Sequence, residues 1–138
     1  ILKLTNLAEN YNVSELIDCC LSKNKKRTIN ILNENNYTLD DCIIIIRTFL
    51  MKAKRLIKLS KSFEKTKSLD ATIGSFKPPI FWKDKEIVKL QIKNWSYKEV
   101  KNLIYQINTV ELLVKKHSNS SINILSDFII EKSSIINN

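Results

Sequence analysis

The chain has 138 residues, a hydrophobic fraction of 43% and a formal net charge of +9. That length can bury a core of its own, and one glycine with two prolines excludes a β-rich fold with many tight turns. No apolar run approaches the roughly 18 residues of a membrane span, and no secretory signal is visible. We therefore predict one all-α domain over residues 1–138, with frayed ends at 1–10 and 133–138. Because the chain begins at Ile1, we expect it to be excised from a longer protein.

The first two helices are predicted to form a helical hairpin. Asn12-Val13-Ser14-Glu15 fits a capping box, in which the first side chain accepts from the third backbone N–H and Glu15 reaches back. A short basic connection over residues 23–27 follows. The second helix carries Ile29 and Ile31 and stops at Asn35-Asn36.

The third helix is predicted to be the longest, and it begins at Thr38-Leu39-Asp40-Asp41 with a capping side chain and two acids in its first turn. Residues 42–46 are all apolar, which taken alone is typical of a buried strand. The cap before them and the helical spacing after them favour a helix instead. Since its first half is apolar all round, we expect that half at the centre of the bundle.

The second half of this helix is strongly basic, with eight basic residues and one acid between Arg47 and Lys67. One interpretation is a solvated helix face, whose number of lysines is raised by the AT-rich codons of the genome and not by a function. Another is a phosphate-facing surface, with Lys54, Lys58 and Lys61 as candidate DNA contacts. Binding of anionic lipid is disfavoured, because the apolar face is needed for the core.

The main joint of the chain is the stretch Phe-Lys-Pro-Pro-Ile-Phe-Trp-Lys at residues 76–83, which we call the proline elbow. Proline restricts its own φ and keeps the preceding residue out of the helical region, so a short helix around residues 68–73 must end near Gly74. In an extended chain successive side chains point to opposite sides, so after the prolines we expect Phe81 and Trp82 to point in opposite directions, one buried and one exposed. An exposed Trp82 beside Lys83 could stack on an unpaired base, whereas a buried one would be a core aromatic.

Three more helices are predicted after the elbow. The fifth, at about residues 83–94, places Ile87, Leu90 and Trp95 on an apolar stripe. Ser96-Tyr97-Lys98-Glu99 is a second capping box and begins the sixth helix, which residues 118–121 interrupt before a last helix. The predicted core residues are Ile43, Ile46, Phe49, Leu50, Leu103, Ile107 and Val110.

Catalytic and metal-binding patterns are missing from the sequence. The single glycine cannot form a phosphate-binding loop, and His117 is the only histidine. The cysteines Cys19, Cys20 and Cys42 are an odd number with an adjacent pair, so we interpret them as small buried apolar residues in a reducing cytoplasm. We predict no enzyme activity, no metal and no cofactor.

Three segments in this order carry a resemblance to a known family. They are Pro-Pro-Ile-Phe-Trp-Lys at residues 78–83, Leu-Gln-Ile-Lys-Asn-Trp-Ser at residues 90–96, and Val-Glu-Leu-Leu-Val-Lys-Lys at residues 110–116. Together they resemble the C-terminal domain of the delta subunit of bacterial DNA polymerase III, a clamp-loader subunit. The similarity extends over residues 11–131.

The resemblance implies a helical collar domain of about six or seven antiparallel helices. Its function would be oligomerisation beside the equivalent domains of the delta-prime and tau/gamma subunits, in support of loading the sliding clamp onto primed DNA during replication. The clamp itself would be bound by upstream domains. In that family an aromatic residue at the proline turn lies near the primer–template junction, which makes Trp82 and Lys83 candidate DNA contacts. A second aromatic of the family pattern has no counterpart near His117.

A collar domain should carry an apolar face that its neighbours cover in the ring. We expect this face on the last two helices, and its candidate residues are Tyr105, Leu112, Ile124, Phe128 and Ile129. The alternative is a stand-alone basic helical module that binds nucleic acid. Salt-dependent DNA affinity without affinity for partner subunits would favour that alternative.

Overall fold

The protein is an all-helical bundle in a computed structural model that describes the backbone of residues 2–135 and the side chains of residues 12–135. The helices are α1 (Leu2–Leu21), α2 (Lys25–Glu34), α3 (Leu39–Thr66), α4 (Leu69–Ser75), α5 (Lys85–Asn94), α6 (Tyr97–Lys116) and α7 (Ser121–Ser133). Single 3₁₀ turns precede α5 and α7. No strand occurs within residues 2–135, so the all-α prediction is confirmed.

Two of the three predicted helix starts are confirmed by their capping contacts. At α3 the Thr38 hydroxyl accepts from the Asp41 N–H at 3.2 Å, and the Asp41 carboxylate accepts from the Thr38 N–H at 2.9 Å. The same reciprocal pair joins Ser96 and Glu99 at the start of α6. The side chains therefore satisfy backbone donors that have no partner within the helix.

The predicted helix start at Asn12 is wrong, because α1 runs through this residue without a break. No glycine or proline precedes Asn12, and a polar side chain alone does not end a helix that the upstream residues can continue. Residues 2–10, which we expected to be frayed, belong to α1. Residues 1 and 136–138 of the expected frayed ends lie outside the described part of the chain.

Helix α3 is the centre of the bundle and packs against α1, α4, α5, α6 and α7. Its 28 residues span about 42 Å. Of the predicted core, Ile43 and Leu50 are half-buried and pack against the interior, and the other members are buried, namely Ile46, Phe49, Leu103, Ile107 and Val110.

The first half of α3 lies in the centre of the bundle, as expected, but it is not buried all round. Ile44 is exposed, and Met51 keeps 62% of its surface in solvent. Neighbouring helices cover only part of the circumference of α3, and apolar residues on the remaining face stay in water. Single exposed apolar side chains are common on protein surfaces.

A buried ion pair joins three helices. The Lys52 ammonium of α3 donates to the Asp18 carboxylate of α1 at 3.0 Å, and both side chains are largely withdrawn from solvent. The Gln91 amide of α5 donates to the same carboxylate at 3.3 Å and to the Asp18 carbonyl at 3.2 Å. Lys52 therefore compensates an interior charge, and the outward basic surface of α3 does not include it.

Trp95, between α5 and α6, is the second polar junction inside the bundle. Its buried indole N–H donates to the Leu21 carbonyl at the end of α1 at 2.8 Å, and its carbonyl accepts from the Ser60 hydroxyl of α3 at 3.2 Å. The Lys23 ammonium lies 3.9 Å from the ring centroid and donates to the Lys132 carbonyl at the end of α7. Trp95 thus contacts the end of α1 through its indole and α3 through its backbone carbonyl, and Lys23 links the same ring to the end of α7.

The cysteines are buried and form no disulfide, as the sequence interpretation predicted. The Cys20 thiol lies 3.4 Å from the Ile129 carbonyl and donates a hydrogen bond to it. Burial raises the pKa of Cys20 to about 12, and it also raises the pKa values of Cys19 and Cys42. Within the described residues, no helix has the length and apolar character needed to cross a membrane.

We expect Asp18→Leu to destabilise the fold by about 3 kcal/mol, because it leaves the Lys52 ammonium buried without a counter-ion. The double variant Asp18→Leu/Lys52→Met should recover most of this loss, since it removes both charges and keeps similar volumes. Urea unfolding of the wild type, both single variants and the double variant measures the coupling. Additive losses in the double variant would show that the two charges do not stabilise each other.

Candidate DNA and subunit interfaces

The proline elbow is attached to the bundle by two apolar side chains, the buried Ile80 and the half-buried Phe76. Helix α4 ends at Ser75, and the backbone of Phe76 is already extended before Lys77, the residue that Pro78 keeps out of the helical region. Ile80 is buried in the core, whereas Pro78 and Pro79 are exposed. The elbow therefore presents its other side chains to solvent between and beyond these two apolar contacts.

Phe81 and Trp82 are both exposed, at 57% and 69%. Their ring centroids are 5.9 Å apart with an interplanar angle of 52°, and the Lys83 ammonium lies 5.4 Å from the Trp82 ring centroid. The prediction that one of the two rings is buried is wrong. Ile80 takes the inward position, and the 3₁₀ turn that starts at Trp82 ends the alternation of an extended chain.

Helix α5 turns a different face inward from the one predicted. Val88, Gln91 and Ile92 are buried, whereas Ile87 is half-buried and Leu90 is exposed. The predicted stripe through Leu90 is therefore wrong, although Trp95 is buried as expected. Gln91 is drawn inward by its hydrogen bonds to Asp18, a polar contact that apolar periodicity does not reveal.

The basic part of α3 divides into an inward and an outward set. Lys54, Lys58 and Lys61, the predicted DNA contacts, are exposed along one face of the helix. Lys52 lies on the opposite side, in its ion pair with Asp18. The three predicted lysines therefore share one surface of the bundle.

The predicted subunit-interface residues differ in exposure. Tyr105 and Leu112 project from α6 with 75% and 71% of their surfaces in solvent, whereas Ile124 and Phe128 are half-buried. Ile129 is fully buried, so its assignment to an exposed interface is wrong. It lies one turn after the buried Leu125 on the inward face of α7.

The Phe128 ring packs against Phe49, with 5.8 Å between their centroids, so this ring already contributes to the interior. Phe81, Met51 and Leu90 also expose large apolar surfaces, and their sequence pattern did not predict this. Which apolar positions stay uncovered depends on the contacts of neighbouring helices, and no local pattern marks them.

Metal binding and catalysis have little support in the described residues. No group of three or more His, Cys, Asp or Glu side chains within them could hold a metal ion. A cavity of about 90 Å³ lies beside the Tyr37 side chain, between α1 and the start of α3. Among the described residues the buried Tyr37 hydroxyl has no hydrogen-bond partner, and burial raises the Tyr37 pKa. No nucleophile or charged cluster accompanies this hydroxyl in the cavity.

Comparison with known proteins finds no matching family model, no matching curated protein and no matching solved structure.

Ile80→Ala should destabilise the protein by about 2–5 kcal/mol, because it removes the only buried side chain of the elbow. Trp82→Ala at the neighbouring exposed position should change stability by less than about 0.5 kcal/mol. Chemical denaturation monitored by far-UV circular dichroism compares the two. A large loss in Trp82→Ala would mean that the indole serves the core and is unavailable to a ligand.

Proposed function

We propose that the chain is the collar domain of a clamp-loader delta subunit. In this role it would join the equivalent domains of the delta-prime and tau/gamma subunits in a ring within the DNA polymerase III holoenzyme. The domain would support loading of the sliding clamp onto primed DNA without performing catalysis itself. Upstream domains of the complete subunit would bind the clamp. The resemblance that supports this role extends over residues 11–131, and the all-helical bundle agrees with it.

The observation that carries the proposal is the uncovered apolar surface of α6. This helix buries Val100, Leu103 and Ile107 against the bundle, yet Tyr105 and Leu112 project from its opposite side. These two side chains are seven residues apart and therefore lie two turns apart on one outward face. What supports a role in assembly is that these two large side chains share one face of α6, so that a single partner could cover both.

A second surface suits the primed DNA. The indole of Trp82 is exposed at the end of a restricted Pro-Pro segment, with the Lys83 ammonium beside it. An exposed aromatic ring next to a cation can stack on an unpaired base and neutralise a nearby phosphate. Its neighbour Phe81 would widen the same platform.

The alternative, a stand-alone nucleic-acid-binding module, is favoured by the outward lysines of α3. The two functions differ in what the protein binds without DNA. A collar domain should associate with delta-prime and tau/gamma subunits in the absence of DNA, whereas a stand-alone module should not. Reconstitution with these subunits therefore separates the two.

We expect Tyr105→Glu and Leu112→Glu to block assembly with delta-prime and tau/gamma subunits. Each substitution places a charge where the partner would need an apolar surface, and neither removes a core contact. Size-exclusion chromatography of the mixed subunits measures assembly, and circular dichroism checks helicity. Asn33→Glu on α2 adds the same charge at another exposed site and should assemble normally. Normal assembly of both α6 variants would place the interface elsewhere.

Trp82→Ala should weaken binding of primer–template DNA by the complete loader roughly 5- to 100-fold, because base–aromatic stacking contributes about 1–3 kcal/mol. Trp82→Phe keeps an aromatic ring and should retain most of the affinity. Fluorescence anisotropy with a labelled primer–template junction measures both variants. Unaltered affinity in Trp82→Ala, with assembly intact, would leave the indole without a role in DNA binding.

A further inference from the structure

Five cations form one continuous row on the outward face of α3, which we call the α3 basic row. Its members are Arg47, Lys54, Lys58, Lys61 and Lys65. All five are exposed. At 3.6 residues per turn they fall within an arc of about 60° around the helix axis, and they extend over about 27 Å along it. The structure thus separates them from Lys52, which points inward to Asp18.

No carboxylate compensates this row among the described side chains, residues 12–135. The lysines that do form ion pairs are elsewhere: Lys52 pairs with Asp18, Lys89 with Asp70 and Glu86, Lys115 with Glu111, and Lys132 with Glu131. No such pair involves a member of the α3 basic row. Glu64 is the one acid between Arg47 and Lys67, and it makes no ion pair with a described residue.

The spacing of the row places like charges next to one another. Lys54 and Lys58, and likewise Lys61 and Lys65, are four residues apart, and like charges at this spacing destabilise a helix by a few tenths of a kcal/mol per pair. A solvated helix face normally alternates acidic and basic residues. An external anion along the face would offset this repulsion.

We infer that the α3 basic row binds the phosphate backbone of a nucleic-acid duplex. A duplex presents one negative charge per about 1.7 Å of its axis, so it offers many phosphates over the length of the row. The contact would be independent of base sequence, since lysines on a rigid helix face reach phosphates rather than a specific set of base edges. This inference does not depend on the collar proposal, because it concerns the chain alone.

The composition of the row favours a nucleic acid over an acidic protein. Protein interfaces are depleted in lysine and need an apolar or aromatic centre. The segment from Lys54 to Lys65 has only basic side chains on this face, and the exposed Met51 lies within the row, between Arg47 and Lys54. A line of positive charges without an apolar centre is complementary to the regularly spaced phosphates of a nucleic acid.

The test compares two triple variants that lose the same charge. Lys54→Gln/Lys58→Gln/Lys61→Gln removes three members of the row. Lys85→Gln/Lys98→Gln/Lys116→Gln removes three other exposed lysines, on α5 and α6. Fluorescence anisotropy with a labelled 20-base-pair DNA duplex, over a series of salt concentrations, gives the slope of log K against log salt for each protein.

We expect measurable binding by the wild type at low salt, and a slope in the row variant that is smaller by about 2.7, or 0.9 per lost phosphate contact. The control variant should keep the wild-type slope, and Lys54→Arg/Lys58→Arg/Lys61→Arg should also keep it. Equal reductions in both glutamine variants would show attraction to net charge alone and overturn the inference. No binding by the wild type, or tighter binding of polyglutamate than of the duplex, would also overturn it.

Discussion

The bundle depends on burial of the Trp95 indole at the joint between α5 and α6. Its N–H satisfies a carbonyl at the end of α1, where the helix leaves acceptors without intrahelical partners. Lys23, over the same ring, satisfies a carbonyl at the end of α7, and its left-handed backbone, with φ 64°, ends α1. The indole thus combines apolar burial with a hydrogen bond that one helix end requires, and α3 contacts the backbone of the same residue, because the Ser60 hydroxyl donates to the Trp95 carbonyl.

The parts of the fold that were predictable from sequence are those decided within a few residues. The capping boxes at Thr38 and Ser96 are local contacts, so their residue types identify them. The buried pair of Asp18 and Lys52 involves residues 34 positions apart, and nothing near either residue indicates the partner. The start of α1 was missed for a related reason, because Asn12 has the side chain of a cap but lies in a continuing helix.

The candidate surfaces were predicted less completely than the core. Trp82 and the outward lysines were predicted from the sequence, because adjacent prolines and a cluster of basic residues can be recognised in the sequence itself. It did not show that Ile80 would occupy the inward position and leave Phe81 in solvent. Ile129 and Leu112 are both apolar residues in helical patterns, and only the packing of α7 and α6 distinguishes a buried from an exposed position.

Because the three cysteines are buried, their thiols should not react with thiol reagents while the bundle is folded. A thiolate is the reactive form, and burial raises the pKa of each thiol above its ordinary value. Cys20 lies between α1 and α7, whereas Cys42 lies at the start of α3. The rate at which each thiol becomes reactive therefore reports how often its own part of the interior opens to water, and a cysteine introduced on the surface would be labelled alone.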